Sequence, residues 1–160
     1  MAAGHDLLVK LYDLPAVHDD QPLRDRGIEI KRAFAGDREQ VLAFVGENFG
    51  KSWVNECAYS LCQQPIRCFI AVQDKQVLGF ACYDATAMNF FGPTGVREDR
   101  RGQGIGRALL LRCLYAMREE GFAYAIIGWV GDALPFYQKT VGATIIENSH
   151  PGEYKRMIDL

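Results

Sequence analysis

The segment RGQGIG, residues 101–106, places three glycines between an extended stretch ending at Val96 and a long helical pattern. From Ile105 through Leu109 and onward, apolar side chains recur at the spacing of one helix face, and Gly121 supplies a stop signal. So wide an apolar stripe predicts that the helix lies on a sheet. A helix cap needs one glycine, whereas three cost several tenths of a kcal/mol each in chain entropy. This pattern predicts a strand, a glycine loop and a helix in which the glycines serve something beyond capping.

A loop of this kind predicts a phosphate site. The free amides of a first helical turn point outward, the helix dipole adds positive charge, and glycine lets a phosphate approach the backbone. A tight cap without a ligand is the alternative. A Walker loop requires Lys and then Ser or Thr after its last glycine, whereas Arg107 and Ala108 follow Gly106. A dinucleotide motif read from Gly104 has Leu109 in its third glycine position, so both nucleotide motifs fail.

The remaining patterns predict an α+β fold with a mixed sheet and helices on its faces. Residues 28–32 alternate as a half-buried strand, and two helices follow it. Residues 67–73 and 76–83 predict a hairpin with a tight turn at Asp74 and Lys75. A third run, residues 88–96, is broken by glycine and proline in a way typical of a bulge. After the long helix we expect a strand, a last helix and two final strands, ATIIE and YKRMIDL.

Length and composition set further expectations. With 160 residues, 49% of them hydrophobic, the chain is predicted to form one domain over residues 1–160. Residues 1–27 form an N-terminal extension, whose segment LLVKLYDL predicts an extra strand. A net charge of −2 argues against nucleic acid or anionic lipid as partners. No leader or bilayer-spanning run is evident, so we expect a cytoplasmic protein. Five cysteines without a CxxC pair, and three scattered histidines, indicate no metal site and no disulfide framework.

Two linked motifs resemble the GNAT superfamily of N-acetyltransferases. RGQGIG fits that superfamily's (Q/R)xxGx(G/A) signature, with Val96 at the position that ends the preceding strand. FYQKTVGA, residues 136–143, is similar to its fourth-helix segment. The close resemblance covers residues 96–143, and the coarse one covers about residues 28–159. It implies a single domain with a splayed central sheet and helices on both faces.

The resemblance also implies binding of acetyl coenzyme A. The coenzyme's pantetheine arm would lie as an added strand beside Thr94, Gly95 and Val96, where the sheet splays. Its pyrophosphate would rest on the backbone amides of the glycine loop: Arg101, Gly102, Gln103, Gly104, Ile105, Gly106 and Arg107. The glycine and proline break near residue 92 suits such a gap between strands.

The implied chemistry is direct acetyl transfer to a primary amine of a small molecule or peptide. The amide of Val96 would polarise the thioester carbonyl, and Tyr137 matches the residue that protonates the departing sulfur; the alternative for Tyr137 is a core aromatic. A lysine-like amine, with a pKa of about 10.4, costs about 4 to 5 kcal/mol to present uncharged at neutral pH. Three carboxylates, Glu47, Glu56 and Asp84, stand near the expected amine entrance, and spacing does not choose among them.

Several questions stay open at this level. Trp53, Tyr59 and Phe90 are predicted to wall the acceptor pocket, with core packing as the alternative. Val130 stands where the superfamily often has an asparagine that contacts the coenzyme. A non-catalytic acyl coenzyme A binding module or sensor is the second functional hypothesis, and a longer acyl group is a third. The acceptor is not identified, and a homodimer through the N-terminal strand and the YKRMIDL edge is an analogy.

Overall fold

The computed structural model describes residues 4–16 and 19–160. The strands, in chain order, are β1 His5–Lys10, β2 Glu29–Arg32, β3 Cys68–Gln73, β4 Gln76–Tyr83, β5 Phe90–Val96, β6 Tyr124–Val130 and β7 Thr144–Ile145. The helices are α1 Gln21–Arg24, α2 Arg38–Asn48, α3 Lys51–Leu61, α4 Ile105–Glu119 and α5 Leu134–Val141. Between β3 and β4, Asp74 and Lys75 both have positive φ, 50° and 64°, as a two-residue hairpin turn of matching twist requires.

All seven strands join one sheet in the order β2-β3-β4-β5-β6-β1-β7. Every neighbouring pair is antiparallel except β5 and β6, so the sheet is mixed, as predicted. The extra N-terminal strand exists, although it spans His5–Lys10 and gives way to a short 3-10 turn at Leu11. It lies between β6 and β7 and is bonded on both sides.

Helices cover both faces of the sheet, which confirms the predicted α+β architecture. Side chains alternate across each strand, so neighbouring residues enter different cores. On β3, Phe69 packs in the core beneath α4, whereas Ile70 packs in the core beneath α2 and α3. Leu109, Cys113 and Leu114 of α4 are fully buried on the sheet, as the apolar stripe predicted.

The sheet splits between β5 and β6. The two parallel strands pair only at Phe90–Ile126 and Phe91–Ile127, and they separate beyond those pairs. On the other side of β5, the register with β4 shifts between Thr94 and Phe91. Residues 92 and 93 form this bulge, and Gly92 has a φ of +115° that a side chain rarely adopts. The predicted break and splay are therefore confirmed.

The C-terminal prediction is wrong. YKRMIDL does not pair as a strand: residues 152–156 form a 3-10 turn, and the ATIIE strand shrinks to Thr144–Ile145. The ATIIE strand, with which YKRMIDL was expected to pair, is only two residues long and offers too short a ladder for another strand. Neither segment proposed for dimerisation is a free sheet edge. Within residues 4–16 and 19–160, no helix has the length and apolar character needed to cross a bilayer.

Candidate active site

A cavity of about 1020 Å³ opens where β5 and β6 separate. Four further segments close it besides the two strands: the N-terminal half of α3, the loop after β4, the start of α5 with the loop before it, and the C-terminal segment. Its lining includes Trp53, Glu56, Thr86, Phe91, Thr94, Trp129, Val130, Asp132, Tyr137, Glu153, Tyr154, Arg156 and Asp159. The split therefore provides a binding space between two strand edges that do not hydrogen-bond to each other beyond Phe91 and Ile127.

The exposed edge of β5 presents backbone amides to the split. The N–H of Arg97 donates to the carbonyl of Leu78 at 2.8 Å, so hydrogen-bonded pairs alternate from that point along the antiparallel ladder. By this alternation Gly95 bonds to β4, while the N–H groups of Val96 and Thr94 face away from it. The Arg101 Nε donates to the carbonyl of Val96 at 3.1 Å, which agrees with that orientation.

Gly95 is required for a separate reason. A Cβ at this position would lie 2.4 Å from the ring of Phe49, which packs against the strand. Phe49 in turn contacts Trp53, with ring centroids 5.2 Å apart. This close approach keeps the α2–α3 corner against β5 and so forms one wall of the split.

The glycine loop leaves the first turn of α4 open. Gly102 and Gly104 have φ values of +78° and +86°, and a Cβ at either position would meet no atom within 4 Å. No side chain caps Gly104. Ala108 is the first residue of α4 whose N–H bonds within the helix, to the carbonyl of Gly104 at 3.1 Å. The preceding amides of the first turn have no acceptor within the helix, so they are available to an anion.

Tyr137 lies in α5 with its ring in the core and its edge at the cavity. Only 6% of the residue is exposed, and its ring meets Phe91 edge-on with centroids 6.3 Å apart. Burial raises the pKa of its hydroxyl well above the ordinary value. The hydroxyl has no hydrogen-bond partner among the described residues. It is therefore a protonated donor that faces a cavity without an internal acceptor.

Of the three carboxylates left open by the sequence, Glu56 is the one that lines the cavity. It is half-buried and accepts a hydrogen bond of 2.5 Å from the Thr86 hydroxyl, and burial raises its pKa. Asp84 is buried elsewhere, where it accepts the Asn89 N–H at 2.6 Å and lies 3.6 Å from Arg67. Glu47 is exposed on α2 and outside the lining.

The C-terminal segment places Tyr154 beside Thr86, the hydrogen-bond partner of Glu56. Its ring lies on Trp129 with centroids 4.8 Å apart, and hydrogen bonding with Thr86 partly offsets the rise in its pKa caused by burial. Sequence patterns gave no sign of this residue, because its placement depends on the displaced C-terminal segment.

The predicted site residues are only partly brought together. Trp53, Thr94 and Tyr137 line the cavity. Tyr59 does not, because it lies 54% exposed on another face of α3. Phe90 also lies outside the lining: it packs beneath Gly128, where a Cβ would come within 2.9 Å of its ring, and Phe91 lines the cavity instead. Gly95, Val96 and the glycine loop at the start of α4 lie outside the lining.

The N-terminal strand holds one wall in place. Trp129 has a φ of +52°, in the left-handed region, at a register shift between β1 and β6. The buried carboxylate of Asp6 accepts the Trp129 N–H at 3.0 Å. Asp6 thus fixes the strained backbone of Trp129 at the end of β6.

The cysteines lie apart from this cavity. Four are buried and Cys62 is exposed. The sulfur atoms of Cys57, Cys68 and Cys82 lie within 4.8 Å of one another in the core beneath α2 and α3. Burial raises the pKa of Cys82 well above its ordinary value, which favours the neutral thiol.

Residues 64–140 match the family model described as an acetyltransferase (GNAT) domain. This segment, just under half of the chain, is similar to GNAT domains. No curated protein matches the chain. Among solved structures, the glucosamine N-acetyltransferase region of a fungal multi-domain GH3 β-N-acetylglucosaminidase superimposes with a TM-score of 0.73 at 18% identity. A GCN5-related N-acetyltransferase from Sphaerobacter thermophilus gives 0.66 at 17% identity. Each comparison covers 91% of this chain, and the chain spans only 20% and 50% of those two chains.

A third GNAT-fold structure, the aminoglycoside acetyltransferase meta-AAC0020 from an uncultured soil sample, gives a TM-score of 0.55 at 19% identity. That comparison covers 72% of this chain and 88% of the other. At these identities the likeness establishes the fold. The matched GNAT range holds the glycine loop and Tyr137, while Glu56, Asp6 and Tyr154 lie outside it.

Proposed function

We propose that this chain is an N-acetyltransferase that moves an acetyl group from acetyl coenzyme A directly to a primary amine of a small molecule or peptide. Residues 1–160 would act as one domain. Besides the match to the GNAT family model, the observation that carries the proposal is Tyr137, a buried residue whose protonated hydroxyl faces the split without a partner among the described residues. A residue kept only for core packing would gain nothing from a hydroxyl that faces a cavity.

The donor half of the site fits a long anionic thioester. Seven backbone amides, from Arg101 to Arg107, would hold the diphosphate at the open turn of α4. The free edge of β5 at Thr94 and Val96 would pair with the pantetheine arm, in the way an added strand pairs with a sheet. The bound donor supplies an activated acyl carbonyl. Val130 offers no side-chain hydrogen bond at the usual asparagine position.

Three groups of the chain then carry out separate steps of the reaction. The Val96 N–H donates to the carbonyl oxygen as negative charge develops there. Glu56 accepts one proton from the acceptor ammonium, and the freed nitrogen attacks the acyl carbon. As the C–N bond forms and the C–S bond breaks, the nitrogen releases a second proton to solvent. Tyr137 donates its proton to the departing sulfur and regains one from solvent. The products are an amide and the free thiol, and burial has adjusted the pKa of Glu56 upward, toward that of an effective base.

The test is thiol release from acetyl coenzyme A across a panel of primary amines, with the acetylated product identified by mass spectrometry. Tyr137→Phe should lower kcat about 100-fold and leave the Kd for coenzyme A unchanged. Tyr12→Phe is the matched control, because Tyr12 is 57% exposed and outside the cavity lining. Coenzyme binding without release for any amine would instead support the non-catalytic binding module, and unchanged turnover in Tyr137→Phe would remove Tyr137 from the mechanism.

A further inference from the structure

The cavity carries unbalanced negative charge. Its ionisable lining comprises Glu56, Asp132, Glu153 and Asp159 against a single basic residue, Arg156. Arg156 donates to Glu153, three residues before it in the chain, and the two charges offset each other. For Glu56, Asp132 and Asp159 no ion pair forms within the described part of the chain. Three carboxylates therefore remain uncompensated around one cavity.

Aromatic side chains form part of the walls of the same cavity. The rings of Trp53, Trp129 and Tyr154 line the cavity, and 42% of Trp129 is exposed. An aromatic face attracts a cation within about 6 Å of its centroid, so aromatic walls and carboxylates favour the same kind of ligand. Neither feature favours an acceptor that bears a carboxylate or a phosphate.

Tyr137 points, independently of the acidic residues, to a ligand in this cavity. Only 6% of the residue is exposed, and its hydroxyl faces the cavity without a partner among the described residues. In the proposed reaction Tyr137 marks the thioester end, and Glu56 meets the reacting nitrogen. Asp132 and Asp159 are exposed residues that line the same cavity, so they are available to whatever else the acceptor carries.

We propose that the preferred acceptor bears a second cationic group separated from the reacting amine, as in an aliphatic diamine. This inference rests on the proposed acetyl transfer. Glu56 is occupied with the reacting ammonium, so Asp132 and Asp159 are the carboxylates available to the second cation, with Trp129 and Tyr154 as flanking surfaces. The C-terminal segment, which sequence patterns placed in the sheet, becomes a determinant of acceptor choice.

Three acceptors test the proposal because they share a five-carbon chain and one reacting amine. Cadaverine ends in a second ammonium, pentylamine in a methyl group and δ-aminovalerate in a carboxylate. We expect kcat/KM for cadaverine to exceed that for pentylamine at least about tenfold, with δ-aminovalerate poorer still. The preference should shrink as salt rises from about 0.01 M to 1 M. Equal values for cadaverine and pentylamine would overturn the inference while leaving the acetyl transfer intact; no turnover of any amine would refute the proposed function instead.

Variants test which carboxylates cause the preference for cadaverine over pentylamine. The double change Asp132→Asn with Asp159→Asn should lower the cadaverine preference at least about threefold and leave pentylamine turnover within about twofold. Asp74→Asn is the matched control, since it removes one negative charge from the exposed β3–β4 turn. Calorimetric titration of cadaverine into the protein with coenzyme A provides a readout independent of turnover, and the double variant should bind it more weakly. An unchanged preference and unchanged binding in the double variant would show that these carboxylates do not select the acceptor.

Discussion

Gly104→Ala separates the glycine loop's role in folding from its role in binding. Position 104 has a φ of +86°, and a Cβ there meets no protein atom within 4 Å. The fold therefore loses only the conformational cost of a left-handed alanine, about 1 to 2 kcal/mol. For a chain of this size that corresponds to a fall in Tm of about 2 to 8 °C. The added methyl group projects over the loop, where the diphosphate is proposed to lie.

Binding should suffer more than folding. Displacing the diphosphate enough to lose one charge-assisted hydrogen bond costs about 1.5 to 3 kcal/mol. The Kd for coenzyme A should then rise about 10- to 100-fold in an isothermal titration.

Gly121→Ala is the matched control for that titration. Gly121 follows the other end of α4, has a φ of +103° and also has no atom near a built Cβ. We expect the two alanine variants to lose similar stability and Gly121→Ala to bind coenzyme A normally. Equal affinities for the two variants would refute the reasoning, since the open turn of α4 would then have no part in binding.

Three further predictions follow from buried groups. Glu56→Gln should lower kcat/KM and remove the acidic limb of the pH profile, which in the unmodified protein falls as pH drops through the raised pKa of Glu56. The same variant should raise Tm at neutral pH, because a carboxyl whose pKa is raised on folding holds its proton more tightly in the folded state, so its ionisation opposes folding; a lower Tm would contradict this. Asp6→Ala should cost about 1 to 3 kcal/mol in urea unfolding, as the Trp129 N–H loses its acceptor, and an unchanged midpoint would show that Asp6 does not hold β6. In the native protein one thiol of five should react rapidly with Ellman's reagent, and Cys62→Ser should abolish that reaction; rapid labelling of a second thiol would show that the core opens readily.

The sequence predicted those parts of the fold that depend on local rules. The α4 stripe, the hairpin turn at Asp74 and Lys75, and the break at Gly92 each follow from periodicity or from a backbone conformation that few residues adopt. The GNAT motif added the split sheet, which is confirmed by the two remaining pairs between β5 and β6.

The features that the sequence did not predict depend on contacts between distant parts of the chain. The insertion of β1 between β6 and β7 joins residues more than a hundred positions apart. YKRMIDL finds no strand partner at the two-residue β7 and lies at the cavity instead. Two adjacent phenylalanines, Phe90 and Phe91, carry equal chemistry, and only the register near the bulge decides which one lines the cavity. The choice of Glu56 likewise depends on how α3 is rotated against the sheet.

A crystal structure of the protein with coenzyme A would test the proposed binding site most directly. The diphosphate should rest on the amides of residues 101–107, and the pantetheine arm should pair with β5 at Thr94 and Val96. The sulfur should then lie within hydrogen-bonding distance of the Tyr137 hydroxyl. Coenzyme bound elsewhere, or a sulfur turned away from both Tyr137 and the cavity, would contradict it.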